Sequence, residues 1–113
     1  MRETIKRIVM TLTAVMLTAK AGVFTNEQGI KETYYNLNMS KVISRADEAL
    51  GMTGLYWVRE DGVKMYGPWV IVASHPSIPR YSFVETSLGQ GIVLDRHELP
   101  DKDVYDIATD WKE

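Results

Sequence analysis

From Leu55 to Trp111 the chain is a succession of short apolar or aromatic runs, each cut off by turn residues before it could complete a helix. They read "LYWV", "VKMYG", "PWVIVAS", "YSFVETSLG", "GIVLD" and "VYDIATDW". Runs of four to six residues rich in Val, Ile, Tyr and Trp, separated by Gly, Pro and Asp, are the pattern of β-strands joined by tight connections. So many strands at such close spacing predict a small closed barrel or a sandwich. Asp61-Gly62 between two such runs predicts a hairpin turn, and Ile78-Pro79 an extended edge or loop. In "LGQGIV", Gly89 or Gly91 is expected to supply a positive backbone dihedral or a close strand crossing.

Upstream, "KETYYNL" has strand composition, and "NMSKVISRADEALG" changes period. There Met39, Val42, Ile43, Ala46 and Leu50 recur at helical spacing, Asn38 or Ser40 is suited to cap the start, and Gly51 to end it. Residues 1–21 have a different character. A basic leader, "MRETIKR", precedes the apolar run "IVMTLTAVMLTA" and the small-residue triplet "AKA", which together predict a secretory signal helix over 1–21. An uncleaved anchor and an ordinary first helix are the competing readings of the same run. The polar stretch 22–30 is expected to be a linker, with one domain over 31–113.

The chain's 113 residues suit a single core, and its formal charge is −2. Without residues 1–21, which carry Arg2, Lys6, Arg7, Lys20 and Glu3, nine basic side chains face fourteen acidic ones, for a net charge of −5. An acidic domain without clustered Lys or Arg is a poor partner for nucleic acid. The absence of cysteine removes disulfides and thiolate chemistry. His75 and His97 lie near Asp95 and Glu98, but without metal-ligand spacing, so they are expected to be solvent-facing loop residues, with no metal and no cofactor.

The order of features in "YGPWVIVASHPSIPRYSFVETSLGQGIVLD" followed by "YDIATDW" resembles the three-aspartate (3D) domain. This is the double-psi β-barrel of lytic transglycosylase A enzymes and of resuscitation-promoting-factor-like wall proteins. The resemblance extends over about Lys31 to Trp111 and is greatest to small exported or phage-associated versions from Gram-positive bacteria, where "KETYYNLxMS" and "WVREDGVKMxGPxVxVA" also occur. It implies a mainly β fold, a six-stranded double-psi barrel with one helix. Of the three family aspartates, the first normally closes a strand in an "A-x-D-P"-like turn, and here "VASHP" puts Ser74 in its place. The second normally opens "D-T-G-G"; Asp95 is present, but Arg96, His97 and Glu98 follow it. The third, in an "x-D-apolar" strand, is Asp106.

The resemblance implies action on peptidoglycan glycan strands by a secreted or wall-associated monomer. The bond between N-acetylmuramic acid and N-acetylglucosamine would be broken without water, leaving a 1,6-anhydro sugar. One carboxyl suffices for that reaction, protonating the leaving oxygen and then accepting the C6 hydroxyl proton, unlike the paired carboxylates of hydrolysis. Its pKa must be raised by apolar surroundings or a neighbouring carboxylate. On this reading Asp106 is the acid/base and Asp95 its tuning partner, while Ser74, Tyr35, Tyr81 and Glu32 are candidate substrate contacts. The alternative is a degenerate domain that binds wall glycan or protein without cleaving it. Judged by residue type alone, aspartates beside strands are turn residues, Glu32 is a solvated strand-start carboxylate, and most aromatic rings fill the core.

Overall fold

The computed structural model describes residues 23–112; the segment read as a signal helix lies outside them. The fold is mainly β. Strands β1 (Phe24–Thr25), β2 (Lys31–Tyr35), β3 (Tyr56–Val58), β4 (Lys64–Tyr66), β5 (Trp69–Ser74), β6 (Phe83–Thr86), β7 (Gly89–Arg96) and β8 (Val104–Ala108) form one sheet, and helix α1 (Ser40–Leu50) stands between β2 and β3. Among the described residues there are thus eight strands where the family resemblance implies six; seven of them fall on the strand-like runs read from the sequence, and the eighth, Phe24–Thr25, comes from the polar stretch before Lys31. Residues 23–30 are correspondingly no free linker. β1 pairs antiparallel with β2, and the Asn26 side chain accepts hydrogen bonds from the Gln28 and Ile30 backbone, fixing the turn between them.

Strand order is β1-β2-β8-β5-β4-β3, with β7 on the other side of β5 and β6 beyond it. β5 is the hub. It runs antiparallel to β4 along its first half and to β8 along its second, and parallel to β7 throughout. β2 and β8 form the second parallel pair. Parallel neighbours distant in sequence need long crossovers, which the helix and the 75–82 segment help to provide. Gly91 is the residue that allows β7 to lie so close to β5. A Cβ there would come within 2.8 Å of Val72 Cγ2 and 3.2 Å of the Val70 carbonyl.

The alternation of β-strands divides the apolar residues between two faces of the sheet. One face gathers Val63, Met65, Val70, Val72, Val93 and Ile107 into an inner core, edged by Tyr34, Tyr105 and Trp111. The other gathers Tyr66, Ile71, Ile92, Leu94 and Ala108, and α1 covers it with Met39, Val42 and Ala46. The helix ends as its sequence predicts, with Gly51 in the left-handed conformation at φ 66°. At its start Met39 is the N-cap residue, and the Asn38 side chain accepts the Ser40 N–H. The Asp61-Gly62 turn also forms, with Gly62 at φ 88° donating its N–H to the Arg59 carbonyl.

Candidate active site

Asp95 and Asp106 stand on either side of one small residue. In the sheet register Ala73 of β5 pairs with Asp95 of β7 and with Asp106 of β8, and Asp106 in turn pairs with Thr33 of β2. Paired residues on adjacent strands share a face, so Asp95, Ala73, Asp106 and Thr33 form a row across four strands. This row lies on the helix-covered side. Two inter-strand steps separate the backbones of the aspartates, roughly 10 Å, with only the Ala73 methyl between them on that face. A bulge makes this possible. The register slips between Val72 and Ala73, so that Leu94 and Asp95 both oppose Ala73 and the aspartate is turned toward the helix side.

The two carboxylates have different surroundings. Asp106 is half-buried and accepts one hydrogen bond, from the Thr33 hydroxyl at 2.9 Å. Burial pushes its carboxyl above the ordinary value, opposed by the Thr33 hydrogen bond. Asp95 instead meets the Arg45 guanidinium at 3.3 Å and its own neighbour's N–H, that of Arg96, at 2.9 Å. Arg45 reaches from α1 and also donates to the Leu94 carbonyl at 3.1 Å, so the helix is tied to the bulge that carries Asp95. The row thus sets a half-buried acid with a raised pKa, Asp106, opposite a carboxylate held by arginine, Asp95.

Tyr35 completes the group. It lies two residues beyond Thr33 on β2, hence on the same face, and its buried hydroxyl has no hydrogen-bond partner among the described residues. Burial first, then the charges of Asp95 and Asp106, raise its pKa. Tyr81 lines the same side, packed against the helix-covered core, and is held at φ 74°, an unusual conformation for a residue with a side chain. Its N–H is used by the Val93 carbonyl.

Glu32 and Ser74 do not join the row. Both point to the inner face, and both are completely buried. Glu32, expected as a solvated carboxylate, accepts hydrogen bonds from Asn26 Nδ2, the Ser87 N–H and the Ser87 hydroxyl, at 2.9, 2.8 and 2.6 Å. It fastens the β1–β2 turn to the β6–β7 hairpin. Ser74 Oγ has no partner among the described residues. His97 also departs from expectation: it is buried, with Nε2 2.8 Å from the Val104 carbonyl and Nδ1 accepting the Leu99 N–H. These bonds assign the ring proton to Nε2 and pin the loop that replaces the glycine turn. Among the described residues no three His, Cys, Asp or Glu are grouped to hold a metal ion.

The chain matches no family model, no curated protein and no solved structure. Residue geometry therefore has to carry the functional argument. Two members of the row, Thr33 and Ala73, and the arginine that braces it, Arg45, were not singled out by the sequence. Arg45 follows Val42 by three positions and so borders the buried helix stripe, a detectable signal, whereas Thr33 and Ala73 acquire their roles only from the parallel β2–β8 and β5–β7 pairings.

Proposed function

We propose that the domain acts on peptidoglycan as a lytic transglycosylase, with Asp106 as the acid/base and Asp95 as its partner, in the double-psi barrel arrangement of the 3D family. The observation that carries the reading is the row Asp95–Ala73–Asp106–Thr33, in which two carboxylates in contrasting environments face one side of the sheet across an alanine. Two parallel strand pairs around a shared hub strand are compatible with the family topology.

In the proposed reaction protonated Asp106 gives its proton to the glycosidic oxygen as the bond from the N-acetylmuramic acid C1 to that oxygen breaks. The C6 hydroxyl of the same sugar then bonds to C1, and its proton returns to the Asp106 carboxylate. Atoms and charge balance without added water, and the 1,6-anhydro ring is the product. A raised pKa keeps the acid form populated at higher pH. Asp95, braced by Arg45, supplies negative charge beside the cationic transition state, while the buried Tyr35 hydroxyl is closed to a sugar. The protein would work as a secreted or wall-associated monomer.

A second reading is a binder of wall glycan that no longer cleaves. The pinned His97 favours it, since Arg96-His97-Glu98 stand where the family has Thr-Gly-Gly and the loop is anchored by His97 to Val104. Incubating the purified protein with peptidoglycan and analysing the products for 1,6-anhydromuropeptides separates the two. Anhydro products that vanish with Asp106→Asn support the enzyme, and co-sedimentation with wall material without products supports the binder. Neither binding nor products would sink both.

A further inference from the structure

A recess lies on the helix side of the sheet and shares no lining residue with the aspartate row. It has a volume of about 530 Å³ and opens between the segment entering α1, the first turns of that helix, and the β3–β4 hairpin. Such a volume is in the range that accommodates small organic ligands. Leu37, Ile43 and Tyr56 give it apolar walls, and Lys64 and Asp47 are its charged groups.

Lys64 is the feature that needs an explanation. The residue is only 6% exposed, and its ammonium donates to two neutral acceptors, Asn36 Oδ1 at 2.9 Å and the Leu37 carbonyl at 2.8 Å. An ammonium has three N–H donors, so one remains for a further acceptor. Among the described residues no carboxylate lies within ion-pair distance of it; the three ion pairs there are Lys31–Asp101, Arg45–Asp95 and Arg59–Asp61. Burial accordingly lowers its pKa, and the more distant Asp110 only partly opposes this. A buried cation without a counter-ion is costly to a fold, and an anion entering the recess removes that cost.

The other charged group limits which anion fits. Asp47, a carboxylate lining the same recess, accepts the Tyr66 hydroxyl at 2.7 Å. A ligand with a second negative charge would be repelled by it. The exposed rings and methyls at the mouth, Tyr56 and Leu37, offer contact to an uncharged apolar body. We propose that this recess is a binding site for a small monocarboxylate carrying an apolar body, its carboxylate bound by the Lys64 ammonium and its body lying against Leu37, Ile43 and Tyr56. The site is independent of the glycan-cleaving reading and stands if that reading fails.

The test is an amide-resolved NMR titration of the full chain with three probes: phenylacetate, its neutral analogue phenylacetamide, and inorganic phosphate. Phenylacetate is expected to shift the resonances of Ser40, Ser44 and Lys64 saturably. Phenylacetamide and phosphate should leave them unmoved at the same concentration. Lys64→Met should weaken phenylacetate at least tenfold. Should that variant fail to fold, Ser44→Phe, which fills the recess and leaves Lys64 with its two acceptors, should abolish the shifts. The proposal is overturned by any of four results: no saturable shift with phenylacetate, equal binding of the amide, the same shifts with phosphate, or undiminished binding by a folded Lys64→Met or Ser44→Phe protein.

Discussion

Glu32 and Asp106 are carboxylates on neighbouring, hydrogen-bonded strands, and they occupy opposite faces of the sheet with opposite consequences. Glu32, on the inner face, is fully enclosed and takes three donors from two separate turns. Asp106, on the helix-covered face, is half-exposed, takes one donor, and has its pKa raised by burial. The contrast teaches how to tell a structural acid from a chemical one. A carboxylate saturated with fixed donors holds distant segments together and has little capacity left for substrate, whereas one that is desolvated but poorly satisfied retains its proton and has lone pairs to offer.

Removing the inner carboxylate tests that contrast most severely. Glu32→Ala strands the Ser87 N–H, the Ser87 hydroxyl and the Asn26 amide in the interior, and should lower unfolding free energy by about 3 kcal/mol in urea titrations. Glu32→Gln should still cost about 1–2 kcal/mol, because one acceptor oxygen becomes an NH2 facing donors. If both variants unfold at the wild-type denaturant concentration, the clamp is not what holds the two turns together.

The turn that closes the inner core is the next largest. Gly62 has φ 88°, and a Cβ there would meet the Asp110 carboxylate and come within 2.8 Å of the Trp111 ring. Trp111 itself donates from Nε1 to the Asp61 carbonyl at 2.8 Å. Gly62→Ala should therefore cost about 2 kcal/mol by the same measurement, with no change at the aspartate row.

On the outer face the effects on stability should be small and of the other sign. Tyr35→Phe deletes a buried hydroxyl that has no partner, so stability should hold within about 0.5 kcal/mol or rise. A loss as large as that of Glu32→Gln would show that the hydroxyl is bound in the fold. Asp106→Asn sharpens the comparison furthest. Because the folded pKa lies above the ordinary 3.8, the native state keeps a proton that the unfolded chain releases once pH exceeds that value. The stability this group contributes is full below pH 3.8 and is lost as pH rises through the folded pKa. The asparagine variant should thus be more stable than wild type near neutral pH, by a small margin because the group is partly exposed, and no more stable below pH 3.8. Urea unfolding at the two pH values checks the sign.

The division between what was readable and what was not follows the range of each interaction. The sequence by itself determined the helix over Ser40–Leu50, because period and the Gly51 stop are local, and the strand segments from Tyr56 to Ala108, because short β-branched and aromatic runs between turn residues have few alternatives. It also placed the Asp61-Gly62 turn, but left open which of Gly89 and Gly91 takes the positive dihedral and which the close crossing; the structure gives the first to Gly89 and the second to Gly91. It did not reveal that Phe24–Thr25 joins the sheet, since a two-residue strand has no periodicity to read. Nor did it reveal that Glu32 and His97 are buried, since their hydrogen-bond partners are remote turns in one case and a strand carbonyl in the other. Only the tertiary structure decided that Asp95 and Asp106 face the same side across Ala73. That outcome depends on a one-residue bulge opposite Ala73, on the parallel β5–β7 pairing and on the antiparallel β5–β8 pairing, all between strands distant in the chain. A shift of one residue in a strand reverses the face of every side chain, and register of that kind is set by packing over the whole sheet rather than by any local stretch.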